Sequence, residues 1–145
     1  MNILFLCTGN TCRSPMSQGL LRAMLKEEGI QGVKVKSAGI AAIAGEPPTA
    51  YAVQVLKENC IDISDHLSQP FNEALTEWAD VIYVMTDGHR AAIHDLYPKY
   101  IDKVKLLNEE GITDPYGMPI ESYRRCAKGI KEALSVIIKK LKENE

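Results

Sequence analysis

No two cysteines in this chain stand at C-x-x-C spacing; the four lie at positions 7, 12, 60 and 126. That removes the ligand pattern of a zinc knuckle and the redox pair of a thioredoxin-like motif, and His66, His89 and His94 supply no metal-ligand spacing either. An excess of either charge is missing too. Nineteen acidic against seventeen basic residues leave a net charge of −2, which gives no footprint for nucleic acid or an anionic membrane. The apolar opening Met1-Asn2-Ile3-Leu4-Phe5-Leu6 has no basic leader and is too short for a signal peptide or a membrane span. The expectation is a cytoplasmic protein whose cysteines are free thiols. Repeats, low-complexity tracts and linkers are likewise absent. What remains, 145 residues with 46% hydrophobic and 25% charged side chains, is enough to bury one core, so a single domain over residues 1–145 is expected, as a monomer.

The apolar pattern alternates between two periods. Ile3–Leu6, Val33–Lys36, the continuous run Val81–Met85 and Lys103–Leu107 have strand character. Helical spacing runs from Pro15 to about Glu28 and again after Thr49 as a candidate N-cap. It returns over Pro70–Ala79, from Asp87 or Thr86 to about Leu96, and along Ile120, Tyr123, Ala127, Ile130, Leu134, Ile137 and Leu141. Strands alternating with helices predict an α/β fold, a single doubly wound four-stranded parallel sheet with helices on both faces. Ligands of such sheets bind beyond the strand carboxyl ends, where Cys7 and Thr86 fall.

Between the first strand and the first helix stands Cys7-Thr8-Gly9-Asn10-Thr11-Cys12-Arg13-Ser14-Pro15. A loop at a helix N-terminus presents unpaired N–H groups that favour an anion. The amides from Thr8 to Arg13 can wrap a phosphate, Arg13 can fork two of its oxygens, and Cys7 would lie beneath the phosphorus as a nucleophile. Arginine and the helix terminus are expected to lower the thiol pKa. Gly9 is expected to give the turn clearance, Asn10 to adopt a left-handed conformation, and Ser14 to cap the helix or donate to the sulfur.

This nine-residue stretch resembles the signature of the low-molecular-weight protein tyrosine phosphatase family, and Asp114-Pro115-Tyr116-Gly117 resembles that family's general-acid loop. Ser37-Ala38-Gly39 and Asp65-His66 extend the resemblance over essentially the whole chain. It implies a metal-free, cofactor-free hydrolase of phosphorylated protein, working through a phosphocysteine on Cys7 with Asp114 as general acid and base. Thr11 is similar to the residue of bacterial protein arginine phosphatases where tyrosine-directed members carry an aliphatic one. Its hydroxyl can accept from a guanidinium, and threonine is also a near-isostere of valine, so phosphotyrosine and phosphoarginine both stay open. Tyr116 stacks equally well on a phenol or a guanidinium. The loop from Ile40 to Pro48 lacks the aromatic wall of many members, with Ile43 as its stand-in, and a second tyrosine beside Tyr116, found in eukaryotic members, is missing. Cys12 is either a buried filler or, as the resemblance implies, a disulfide partner for Cys7. His66 is either hydrogen-bonded behind the loop to Asn10 or a surface turn residue, and Cys60 and Cys126 are expected to be structural. A thiol-dependent arsenate reductase, which would need a relay cysteine pair, and a non-catalytic phosphate-binding module are the competing functions.

Overall fold

A computed structural model describes residues 1–144. Its elements are β1 (Asn2–Cys7), α1 (Arg13–Glu27), β2 (Lys34–Gly39), α2 (Ala50–Glu58), α3 (Glu73–Trp78), β3 (Val81–Val84), α4 (Asp87–Leu96), β4 (Val104–Leu106) and α5 (Ile120–Glu143). The strands form one parallel sheet in the order β2-β1-β3-β4. β1 is therefore an inner strand, and the alternation of its side chains feeds two cores. Ile3 and Phe5 face Leu20 and Leu21 of α1, Leu56 of α2, and Ile130 and Leu134 of α5. Leu4 and Leu6 face Leu75 of α3 and Ile93 of α4 on the other side. All four are fully buried. Burial of such a side chain is worth about 1.5–3 kcal/mol before chain entropy is subtracted, so the strand that ends at Cys7 is the most firmly anchored in the sheet.

The element boundaries differ from the sequence expectations where tertiary pairing outweighs local pattern. α1 starts at Arg13, two residues ahead of Pro15, because a proline in the first turn forfeits an N–H that has no intrahelical partner there. β2 runs on through Ser37, Ala38 and Gly39, which pair with Phe5, Leu6 and Cys7. α3 starts at Glu73 rather than Pro70. Pro70 is held in an extended bridge to Gly39, and the Asn72 side chain caps the new start by accepting from Leu75 N–H at 2.9 Å. A 3-10 turn over Pro98–Lys103 has no counterpart in the periodicity and shortens β4 by its first residue. Lys103 explains the turn, its Nζ donating to Thr76 O and Ala79 O at 2.8 Å each. α5 is a covered helix, its stripe from Tyr123 to Ile137 packed against α1 and α2. No helix among the described residues is long and apolar enough to cross a membrane.

Candidate active site

The chain leaves β1 at Cys7 and re-enters regular structure at Arg13, with Cys12 at the N-cap of α1. Asn10 takes the left-handed turn, at φ 57°, and is fully buried. Its side chain ties the loop from behind. Nδ2 donates to Ser14 Oγ at 2.8 Å and to Ser37 Oγ at 2.9 Å, while Oδ1 accepts from Gln69 N–H at 2.9 Å. The Gln69 amide can only donate, which fixes the orientation of the Asn10 carboxamide. Ser14 Oγ lies 2.8 Å from Cys7 Sγ and 3.5 Å from Ala38 O, and with Asn10 already donating to that oxygen the Ser14 proton has the sulfur as its nearer acceptor. His66 Nε2 meets Asn10 O at 2.9 Å, so that nitrogen carries the proton, and burial lowers the pKa of the ring. This is the first of the two arrangements open to His66 from the sequence.

The clearance expected of Gly9 belongs to another glycine. Gly9 has no positive φ, and a Cβ there would touch only Thr11 Oγ1 at 3.6 Å. At Gly39 a Cβ would sit 2.6 Å from Thr8 O and 2.9 Å from Asn10 N, closer than backbone atoms tolerate, so β2 can approach the loop only because residue 39 has no side chain.

The expected drop in the Cys7 pKa is not met. Burial of the sulfur pushes the thiol up, ahead of the opposing pulls from the Ser14 hydroxyl, the Ser14 N–H, the Arg13 charge and the Asn10 N–H. Burial wins because Cys7 is only 2% exposed while Arg13 is turned elsewhere. Arg13 Nη1 donates to Ile112 O at 2.9 Å, and Nη2 lies 3.6 Å from Asp114 Oδ2. One buried guanidinium thus holds the Asp114 loop across the mouth of the Cys7 loop.

Cys7, Thr8, Gly9, Thr11, Cys12 and Arg13 line a cavity of about 490 Å³ together with Ile43, Asp114 and Tyr116. Asn10 is not among the lining residues, and its N–H turns toward the Cys7 sulfur at the base of the loop. Ile43 and Tyr116 are exposed walls, 71% and 68% accessible. Cys12 is a free thiol, its Sγ 3.4 Å from Thr49 Oγ1 and 3.5 Å from Tyr123 Oη, which accounts for the Thr49 side chain making no cap bond to α2. A larger groove of about 780 Å³ lies behind α1 and β2. Cys60 lines that groove and does not line the Cys7 cavity. It is also exposed and left-handed, at φ 62°, rather than a structural core residue, because it occupies the position after α2 that favours glycine. Cys126 is buried as expected, and burial pushes its thiol up to about 12.

One residue of the site escapes a sequence reading. His89 of α4 places Nε2 2.9 Å from Thr8 Oγ1 and Nδ1 3.2 Å from Thr86 Oγ1, the hydroxyl that also caps the helix by accepting from His89 N–H. Burial and then the Arg13 charge lower its pKa to about 4, against an opposing pull from Asp114, so at neutral pH it is a neutral link between α4 and the loop. The available signal was the Thr86-x-x-His89 capping spacing at the carboxyl end of β3, beside Cys7.

A thiol, a guanidinium and a carboxylate converging on one cavity form a set of groups able to surround a phosphoryl group. The family profile described as low molecular weight phosphotyrosine protein phosphatase matches residues 2–145. A protein-arginine-phosphatase of Bacillus subtilis (strain 168) is 37% identical, with 99% of each chain covered. Among solved structures, the YwlE arginine phosphatase, in a mutant whose active-site serine is phosphorylated, superposes with a TM-score of 0.95 at 36% identity, over 100% of this chain and 98% of that one. A low molecular weight protein tyrosine phosphatase from T. tengcongensis superposes with a TM-score of 0.92 at 40% identity, over 97% and 99%. Fold, loop and full-length similarity agree, and the chain belongs to the low molecular weight phosphotyrosine protein phosphatase family, as an enzyme of that class.

Proposed function

We propose that this enzyme hydrolyses phosphoarginine and phosphotyrosine in proteins through a phosphocysteine on Cys7, with phosphoarginine preferred. The observation that carries the reading is the convergence of Cys7, Arg13 and Asp114 on one cavity. The amides from Thr8 to Arg13 and the Arg13 guanidinium bind the equatorial oxygens, where the transition-state charge resides. A dianion entering beside the buried thiol takes its proton, leaving a thiolate against a monoanion with no change in net charge. The sulfur then attacks phosphorus as the bond to the leaving oxygen or nitrogen breaks, and Asp114 protonates the departing atom. In the second step Asp114 takes a proton from water. The water oxygen attacks phosphorus, inorganic phosphate forms, and sulfur departs as a thiolate stabilised by the Ser14 hydroxyl.

Two facts favour phosphoarginine. Thr11 places a hydroxyl on the cavity wall, able to accept from a guanidinium N–H. The Bacillus subtilis relative is named for that substrate. Nitrogen also leaves from a more basic group than a phenol, with a pKa above about 12 against about 10, and so depends more on the acid. The test is the ratio of kcat/KM for phosphoarginine to that for phosphotyrosine. Thr11→Ile is expected to lower it and Cys7→Ser to abolish both activities. An unchanged ratio removes Thr11 as the selector, and turnover surviving Cys7→Ser removes the nucleophile.

A further inference from the structure

The cavity has a third charged group that the reaction above does not use. Glu46 lines it on the side of Ile43 and Pro47. Among the described residues no lysine or arginine forms an ion pair with its carboxylate, whereas Asp114 is engaged by Arg13. Its backbone is clamped to the buried Ser68. Glu46 N–H donates to Ser68 Oγ at 2.9 Å, Ser68 N–H donates to Glu46 O at 2.8 Å, and Gly45 N–H donates to Ser68 O at 2.9 Å. Ser68 Oγ also donates to Ile43 O, so one serine fixes both wall residues. Gly45 turns the chain at φ 87°, and Pro47 confines the residue before it to extended conformations. The carboxylate is thus carried by a stiff segment and loses little backbone freedom when a ligand meets it.

A carboxylate on the wall of a cavity that receives a dianion opposes binding, unless the substrate brings a positive charge to it. An aryl phosphate brings none. A phosphoguanidinium brings one directly behind the phosphorus, on the leaving group, where a cavity wall can reach it. We propose that Glu46 is a specificity-determining residue that selects a cationic guanidinium leaving group over a neutral aryl one. The inference rests on the reading that this cavity hydrolyses phosphorylated side chains. It is separate from the part played by Thr11, whose hydroxyl carries no net charge and whose contact is therefore less affected by salt, whereas an exposed charge pair is screened.

The experiment uses two small substrates that have no flanking residues, free phosphoarginine and p-nitrophenyl phosphate, on the same protein preparation. At low ionic strength Glu46→Gln is expected to lower kcat/KM for phosphoarginine and raise it for p-nitrophenyl phosphate. Their ratio should fall roughly fivefold, the factor an exposed charge pair supplies. The difference from wild type should close toward about 1 M salt, where the screening length is near 3 Å. Glu46→Asp should keep most of the wild-type ratio. A ratio that is unchanged or raised in Glu46→Gln, or a fall that persists at high salt, overturns the proposal while leaving the phosphatase reading intact. Wild-type enzyme that hydrolyses p-nitrophenyl phosphate but not phosphoarginine overturns the substrate reading and the role of Glu46 with it.

Discussion

Replacing His89 by glutamine separates its charge from its hydrogen bonds. In the native protein both ring nitrogens meet threonine hydroxyls, and the pKa is lowered to about 4. The ordinary value in an unfolded chain is about 6.5. Above that pH the ring is neutral in both states and its titration contributes nothing. As the pH falls from 6.5 toward 4, the unfolded chain takes up a proton that the native site refuses, so stability is lost across that window and the loss is complete below it. At about 1.4 kcal/mol per unit, discounted for a ring that solvent partly screens, the loss is on the order of 2 kcal/mol. Glutamine retains a donor and an acceptor near Thr8 and Thr86 and has no proton to refuse. Its cost at pH 7.5 should be about 1 kcal/mol, one imperfectly replaced hydrogen bond. Urea unfolding of both proteins at pH 7.5 and pH 4 gives the result as a difference of differences, in which the carboxylates common to both cancel. Wild type should lose about 2 kcal/mol more than the variant over the interval. Equal losses in the two proteins would refute the claim that His89 is held neutral.

Two further substitutions probe the loop. Ser14→Ala removes the strongest of the groups that oppose burial at Cys7, so the pH profile of Cys7 alkylation should move upward; a downward move would contradict the assigned donor direction. Gly39→Ala drives a Cβ against Thr8 O and Asn10 N, and the loop must shift to relieve it. Overpacking of this kind costs about 1–3 kcal/mol, and kcat/KM for an aryl phosphate should fall at least about tenfold, with a wild-type value contradicting the stated clearance.

The sequence made the parallel sheet and the Cys7–Arg13 loop legible because both rest on local signals. A short apolar run ends at a thiol, and a helix begins where an arginine can reach back. Asp114 was legible only through its resemblance to a family loop, since nothing local distinguishes it from a turn-forming aspartate before proline. What stayed hidden depends on partners far along the chain. His89 meets Thr8 across 81 residues, Ser68 holds Ile43 and Glu46 across 25 and 22, and Pro70 is drawn out of a helix by Gly39. The Cys7 pKa failed for a related reason. The charge beside the sulfur is visible in the sequence, but the depth of burial and the turning of Arg13 toward Asp114 exist only in the fold.

The most direct test of the account is to stop the reaction between its two steps. Asp114→Ala removes the group that activates water, so brief exposure to an aryl phosphate whose leaving group needs little protonation should leave a phosphoryl group on the enzyme. Rapid acid quench, proteolysis and mass analysis should find that increment on Cys7, with none in Cys7→Ala. An enzyme that turns over substrate without ever carrying phosphorus on that sulfur would contradict the mechanism proposed here.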